Sequence, residues 1–327
     1  MKASRVFLLG TMALSAPRHI PGLWSSAWTL LVLTNLLWAG NIVLARGVVG
    51  VVPPVALAYW RWTGAFLISL PFAWPRLCHD APILLRHWRI MLLLSATGIA
   101  SYNTISYIAL NSTTALNVLL LQSATPLMIV ALAYVIFAER PSARQVGGIV
   151  LSLCGVAVIA GRGSLTALAT LRVNPGDLWI IVGLSIYAVY CVMLRRRPSV
   201  HPLSFLSAAM GLGSLMMLPF YVWEHVSGAR IQGGWDASLA MAYMAIFPSL
   251  IAYLLFNRGV ELIGANAAGH SMHLMPLFGS VLAVLFLHER FRAYHAGGIA
   301  LIGGGILLAS LPSLRRRGVR THPAAGT

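Results

Sequence analysis

Acidic side chains are scarce: seven Asp and Glu stand among 327 residues, against 23 Lys and Arg, and only 9% of the chain is charged. A water-soluble domain carries roughly 25% charged residues, so this chain cannot dress a soluble surface. Cysteine is scarce too. Cys78 falls in a connection, while Cys154 and Cys191 fall within apolar stretches, which excludes a disulfide framework or a cysteine-rich metal cluster. Carboxylates are also missing from the middle of every apolar stretch, since Asp80, Glu139, Asp177, Glu224, Asp236, Glu261 and Glu289 all lie in connections or at stretch ends. No metal site and no cofactor is therefore expected within the spans.

What remains is apolar: 58% of residues are hydrophobic and the mean hydropathy is +0.81. A helix that crosses the hydrocarbon core needs about 20 mostly apolar residues. Ten such stretches are present, at 27–45, 55–74, 88–110, 114–137, 144–161, 177–194, 202–223, 237–258, 265–287 and 293–311. The expected fold class is an all-α integral membrane protein with ten transmembrane helices.

The net charge of +16 needs no nucleic-acid partner. With both termini inside, the inner segments hold sixteen Lys or Arg, and the outer ones hold six: Arg46, Arg162, Arg172, Arg230, Arg290 and Arg292. That asymmetry is the positive-inside bias. Trp28, Trp74, Trp88, Trp179, Trp223 and Trp235 all fall at span ends, where an amphipathic ring prefers the headgroup level. Lys2 and Arg5 before the apolar run Val6 to Ala16 look like a short secretory signal, but cleavage there would reverse every later span against the charge count. Residues 1–26 are read as a retained cytoplasmic tail.

Sliding the chain against itself by 150 residues pairs Ala115 with Ala265, Pro126 with Pro276, Glu139-Arg140 with Glu289-Arg290, Gly147-Gly148-Ile149 with Gly297-Gly298-Ile299, and Gly155 with Gly305. Upstream, an offset of 149 aligns Trp38 to Arg46 with Tyr187 to Arg195, and Gly64 with Gly213. One duplicated unit of five helices explains both. The odd helix count makes the second unit enter the membrane in the opposite sense. The units are 27–163 and 177–312, joined by an outer linker at 164–176 and followed by a basic cytoplasmic tail at 313–327.

The segment Trp38-Ala39-Gly40-Asn41, the arginine of Tyr59-Trp60-Arg61-Trp62, and the doubled pattern of mid-helix proline, Glu-Arg and Gly-Gly-Ile resemble the EamA-type branch of the drug/metabolite transporter superfamily. The resemblance covers about residues 27–312. It implies a ten-helix, multi-pass inner-membrane carrier that moves small metabolites by alternating access and is not an enzyme, and it puts Trp38 and Asn41 among the substrate contacts. It does not identify the substrate.

Several residues could carry that function. Pro126 and Pro276 lie half-way along the fourth helix of each unit, and Gly98 and Pro248 occupy equivalent places on the third helices. Broken backbone at membrane depth is tolerated where it faces protein or a cavity, so these four are candidate hinges beside a substrate site, or simple bends in tight packing. Tyr102, Asn103, Ser106, Tyr107, Asn117, Gln122, Ser123, Thr125, Tyr253 and Asn257 cluster on the same helices, as cavity liners or as interhelical hydrogen bonds. His270 and His273 share a face, either touching substrate or a coupling proton, or bonding a neighbouring helix in neutral form. Arg61 lies about 10 Å inside the second helix. It must snorkel, bond carbonyls, pair with a carboxylate such as Glu224, or hold a substrate anion, and its repeat counterpart is Met210.

The reading that joins these features is a secondary transporter for an amino acid, amphipathic or drug-like solute, an exporter by first expectation, with membrane lipid and a possible coupling proton as its other partners. The rival is a polytopic membrane enzyme using His270 and His273 as bases, but such an enzyme needs an acid or metal ligand nearby. A sensor would need an output domain, which the residues after Pro312 are too few to form.

Overall fold

Apolar sequence with few charges folds here into helices alone among the described residues. A computed structural model describes residues 23–138, 141–164, 174–263, 271–272 and 274–310. The first helix, α1, runs Ala27–Gly47. The second, α2, opens on a proline and runs Pro54–Arg86 through Pro71, Pro75 and Pro82. It therefore extends past the expected end at 74, through a stretch that carries Arg76, His79, Asp80 and Arg86.

The third stretch is one rod with a fault in it. Helix α3, Trp88–Leu94, passes into a π-helical segment, Ser95–Ser101, and resumes as α4, Tyr102–Ala109. The fourth stretch bends by 46° between α5, Ala115–Gln122, and α6, Thr125–Phe137. Helix α7, Ala143–Ala160, starts with a capping box between Ser142 and Gln145. In the second unit come α8, Pro175–Met193, and α9, Pro202–Val226. Then α10, Trp235–Ile246, passes through a π-helical segment, Phe247–Ile251, into α11, Ala252–Ile263. The chain ends in α12, Leu274–Leu287, and α13, Ala293–Ser310. Five helices are individually long and apolar enough to cross a membrane, and up to seven if each bent pair counts as one span; α12 and α13 are shorter apolar helices.

Packing repeats the duplication. Helix α1 packs on α11 and α12, and its counterpart α8 packs on α4 and α6, so the first helix of each unit lies on the third and fourth helices of the other. Helices α2 and α9 pack on each other, as do α7 and α13. The α7–α13 contact uses equivalent positions of the two units. A Cβ on Gly155 would lie 2.7 Å from Ile302 and 2.8 Å from the Gly298 carbonyl, and one on Gly305 would lie 2.5 Å from the Gly148 carbonyl and 3.0 Å from the Ser152 nitrogen. Missing side chains let these backbones approach, which is how helices associate where lipid is as apolar as they are.

Carboxylates pin helix starts across the two units. Glu224, near the end of α9, accepts the free N–H groups of Val55 (3.1 Å) and Ala56 (2.7 Å) in the first turn of α2. In return Asp80, near the end of α2, accepts from the His201 nitrogen before α9 at 3.2 Å. Glu289 does the same for α5, accepting from Ala115 and Leu116 at 2.9 Å each. An anion at a helix N-terminus satisfies orphan donors and meets the positive end of the dipole. Glu224 is thus spent on a cap rather than on Arg61.

The outside is what lipid needs. Trp235 is 83% exposed and Trp223 70%, and Trp28, Trp74, Trp88 and Trp179 are exposed too. These are the six tryptophans expected at the membrane boundary.

Candidate functional site

The proline in the third helix of the second unit organises the centre. Pro248 has no N–H for the Met244 carbonyl one turn back. The Ser249 hydroxyl donates to that carbonyl instead, at 2.8 Å. The Pro248 carbonyl is likewise taken from outside its helix, by Trp38 Nε1 at 3.1 Å. Both satisfy backbone groups that the π-helical segment leaves open, and both side chains then face the middle of the bundle.

Arg61 meets them there. It is 3% exposed. Its Nε donates to Ser249 Oγ at 2.6 Å, and its Nη1 donates to Asn103 Oδ1 and Tyr107 Oη at 2.7 Å each. Tyr107 passes its own hydrogen to Asn41 Oδ1 at 2.9 Å. The guanidinium carbon also lies 4.6 Å from the Trp62 ring centre. All three acceptors are neutral, and among the described residues Arg61 forms no ion pair and its Nη2 has no hydrogen-bond partner. Of the eight buried polar side-chain atoms without a hydrogen-bond partner among the described residues, two belong to residues of this region, Trp62 Nε1 and Gln122 Oε1.

An aromatic wall stands beside this polar group. Trp38 packs edge-on to Tyr253 with ring centres 5.5 Å apart, and Trp62 does so at 6.5 Å. Tyr102 packs on Tyr187 at 4.5 Å, and Tyr187 stacks on Tyr190 at 5.6 Å. Gln122 Nε2 donates to the Tyr102 hydroxyl. The Gln122 carbonyl, which Pro126 cannot serve, accepts from the Thr125 hydroxyl at 2.6 Å, the same repair as at Pro248.

Of the residues singled out in the sequence, Trp38, Asn41, Arg61, Asn103, Pro248 and Tyr253 meet in this cluster, and Tyr102 and Gln122 form a linked pair. Gly98 lies under the Tyr190 ring, 2.4 Å from where its Cβ would be. Ser123 turns back on the Leu120 carbonyl. Asn257 and Pro126 are exposed, and Pro276 sits in the first turn of α12.

Asn117 belongs to another network. Its Nδ2 donates to both oxygens of the wholly buried Asp177 at 3.2 Å, its Oδ1 faces His295 Nε2 at 3.0 Å, and the Thr113 hydroxyl donates to Asp177 as well. These bonds tie α5 to the first turns of α8 and α13. His270 and His273 lie outside the described residues. No group of three or more His, Cys, Asp or Glu suited to a metal ion occurs among the described residues.

Sequence reasoning passed over Ser249, Tyr187 and Tyr190. For the tyrosines a signal existed, because the offset of 149 pairs Tyr187 with Trp38 and Tyr190 with Asn41.

A family model described as the EamA-like transporter family matches residues 25–161 and again 174–311. The uncharacterized transporter YyaM of Bacillus subtilis is similar at 28% identity over 271 residues, 82% of this chain and 88% of YyaM. A probable terminal-alkyne amino-acid exporter of Streptantibioticus cattleyicolor is 25% identical over 318 residues, 93% of this chain and 98% of its own. One solved crystal structure, 22% identical, covers 90% of this chain and 100% of its own with a TM-score of 0.60, which is a likeness of fold.

Proposed function

The chain belongs to the EamA-like transporter family and is a multi-pass transporter of the inner membrane, and from that premise we propose that it exports a small amphipathic metabolite bearing a negative group, by alternating access. The observation that carries this reading is the Arg61 guanidinium, buried without a carboxylate and with Nη2 unused by the described residues. An arginine at the centre of a membrane helix costs about 2.5–3.5 kcal/mol on insertion scales. Neutral acceptors do not require a charged donor, and the two N–H groups of a neutral amide could serve two of the three without that cost, so the hydrogen bonds alone do not account for the charge.

Repeat-equivalent positions argue for an amphipathic solute. Where the first unit has Asn41, Arg61 and Asn103, the second has Tyr190, Met210 and Tyr253. A charged head would face the first unit and an apolar body the second. Trp38, Tyr102, Gln122 and Ser123 complete the proposed site, while Asn117 and Asn257 remain candidates only for other stages of the cycle. The breaks at Gly98, Pro126, Pro248 and Pro276 serve as hinges.

The architecture that suits this reading has ten spans in two five-helix units of opposite sense, at 27–163 and 177–312, with both termini cytoplasmic. The exchanged packing of α1 and α8 and the antiparallel capping of α2 and α9 support it. Export is favoured by the similarity to the probable amino-acid exporter of Streptantibioticus cattleyicolor. His270 and His273 are the candidates for a coupling proton.

The test is counterflow in proteoliposomes, run with and without a pH gradient, comparing amphipathic carboxylates such as amino acids with their carboxamides. The acid should exchange and the amide fail. Equal exchange of acid and amide would leave Arg61 without a ligand and remove the reading.

A further inference from the structure

Arginine is depleted from outer connections by the bias that orients membrane proteins, yet three of the six on the side read as outer converge on one place. A pocket of about 280 Å³ between α5, the end of α7 and the start of α13 is lined by Arg162, Arg290 and Arg292, together with Thr114, Glu289 and Tyr294. Duplication accounts for Arg290, the copy of Arg140. It does not account for the others, since the counterpart of Arg162 is Pro312 and that of Arg292 is Ser142. These two charges were placed at this pocket independently of the repeat.

Backbone geometry points the same way. Arg162 follows the C-cap of α7 with φ +52°, between Gly161 and Gly163. A left-handed residue at a helix end is a place glycine fills without strain, and here an arginine holds it between two glycines. Nor are the arginines used internally. None of the three enters an ion pair or a side-chain hydrogen bond among the described residues. The one carboxylate in the lining, Glu289, is already held by two backbone N–H groups of α5. Asp177 is close enough to feel the Arg162 charge, but its hydrogen bonds go to Thr113 and Asn117. His295, which also lines the pocket, is committed through both ring nitrogens, to Asn117 and to the Arg292 backbone. The Tyr294 hydroxyl has no described partner.

We propose that this pocket binds the phosphate of an anionic phospholipid headgroup, separately from the transported solute. Guanidinium matches phosphate in a bidentate, charge-assisted way, and three of them exceed what one carboxylate can neutralise. A lipid rather than a free phosphate is the source because the pocket borders an apolar surface. Phe291, 50% exposed, stands between Arg290 and Arg292 with its ring centre 5.5 Å from that of His295, and Phe286 and Leu285, 71% and 62% exposed, precede Glu289 by one helical turn, which offers acyl chains an apolar surface next to the headgroup site.

The experiment uses the full chain purified in detergent. Binding of dioleoylphosphatidylglycerol and of dioleoylphosphatidylcholine is measured by native mass spectrometry, with inorganic phosphate as a competitor. The wild type should prefer the glycerol lipid by about tenfold or more, the scale of one charge-assisted hydrogen bond. The triple variant Arg162→Gln, Arg290→Gln, Arg292→Gln should lose that preference while eluting as one species in size-exclusion chromatography. If it does not fold, single Arg162→Gln and Arg292→Gln should each weaken it severalfold. A charge-matched control, Arg76→Gln, Arg86→Gln, Arg89→Gln, at the opposite end of the bundle, should keep the preference. The proposal is overturned if the preference survives in the pocket variants, if the control loses it equally, or if inorganic phosphate displaces the lipid, which would make this a site for a soluble anion.

Discussion

Replacing Arg61 with lysine keeps the charge and removes the spare donors. A guanidinium has five N–H groups. Ser249 takes the one on Nε, Asn103 and Tyr107 take the two on Nη1, and the two on Nη2 are left over. An ammonium has three. Serving the same three acceptors would exhaust it, and turning toward a ligand would strip an acceptor from a buried network. Either way at least one charge-assisted hydrogen bond is lost. At ~1.5–3 kcal/mol, that weakens binding of a carboxylate solute about ten- to a hundredfold. The assay is equilibrium binding of the acid and of its carboxamide to wild type and Arg61→Lys in detergent, at matched amounts of monodisperse protein. Binding of the acid should fall to near that of the amide. Wild-type affinity for the acid in the lysine variant would refute the donor count and reduce Arg61 to an anchor that any cation can provide.

Other outcomes follow from neighbouring features. Ser249→Ala should weaken the same binding about fivefold, or ~1 kcal/mol, and Ser249→Thr should restore it because the hydroxyl still spans Met244 and Arg61; equal losses in both would implicate bulk instead. Gly155→Ala and Gly305→Ala should each destabilise the protein by ~1–3 kcal/mol through overpacking, read as similar drops in melting temperature; sensitivity at only one position would contradict the paired contact between α7 and α13. Reporter fusions after Arg197 and Arg317 should report the cytoplasmic side and fusions after Arg230 the outer side, and an inward report at Arg230 would end the ten-span topology.

Sequence alone exposed much of the scaffold because membrane insertion and duplication both leave periodic marks. Apolar length located the helices, and the offsets of 149 and 150 showed that Gly98 and Pro248 are equivalent places where regular helix gives way. The extent of each element was less visible. Helix α2 passes beyond its apolar stretch because polar residues such as Arg76, His79 and Asp80 continue a helix without changing its hydrogen bonds, so the end of an apolar run does not mark the end of a helix. The site was half legible. Proline announces a freed carbonyl, but which side chain repairs it depends on geometry; a lone Ser249 among many membrane serines carries no mark, and its repeat counterpart is Ile99. Glu224 looked like a partner for Arg61 because both lie toward one end of their spans. Only the packing of α2 on α9 shows that Glu224 meets helix-start amides instead. Asn117 looked like a cavity liner because it shares a helix with the break at Pro126, whereas Asp177, distant in sequence, is brought onto it by the docking of α8.

The contact between α7 and α13 bears on why the two units share one chain. Two separate copies of a unit meeting about a twofold axis would carry every residue in pairs, so a buried cation near that axis would bring a second one with it. Fusion removes that obligation. Ser152 and Ile302, equivalent residues on either side of the contact, have already parted company, and deeper in the bundle Arg61 faces the world once, with Met210 in the place of its twin. A covalent linker thus permits an odd number of charges in a core whose architecture is even, and a solute with a distinct head and tail can be met by a binding surface with a distinct head and tail.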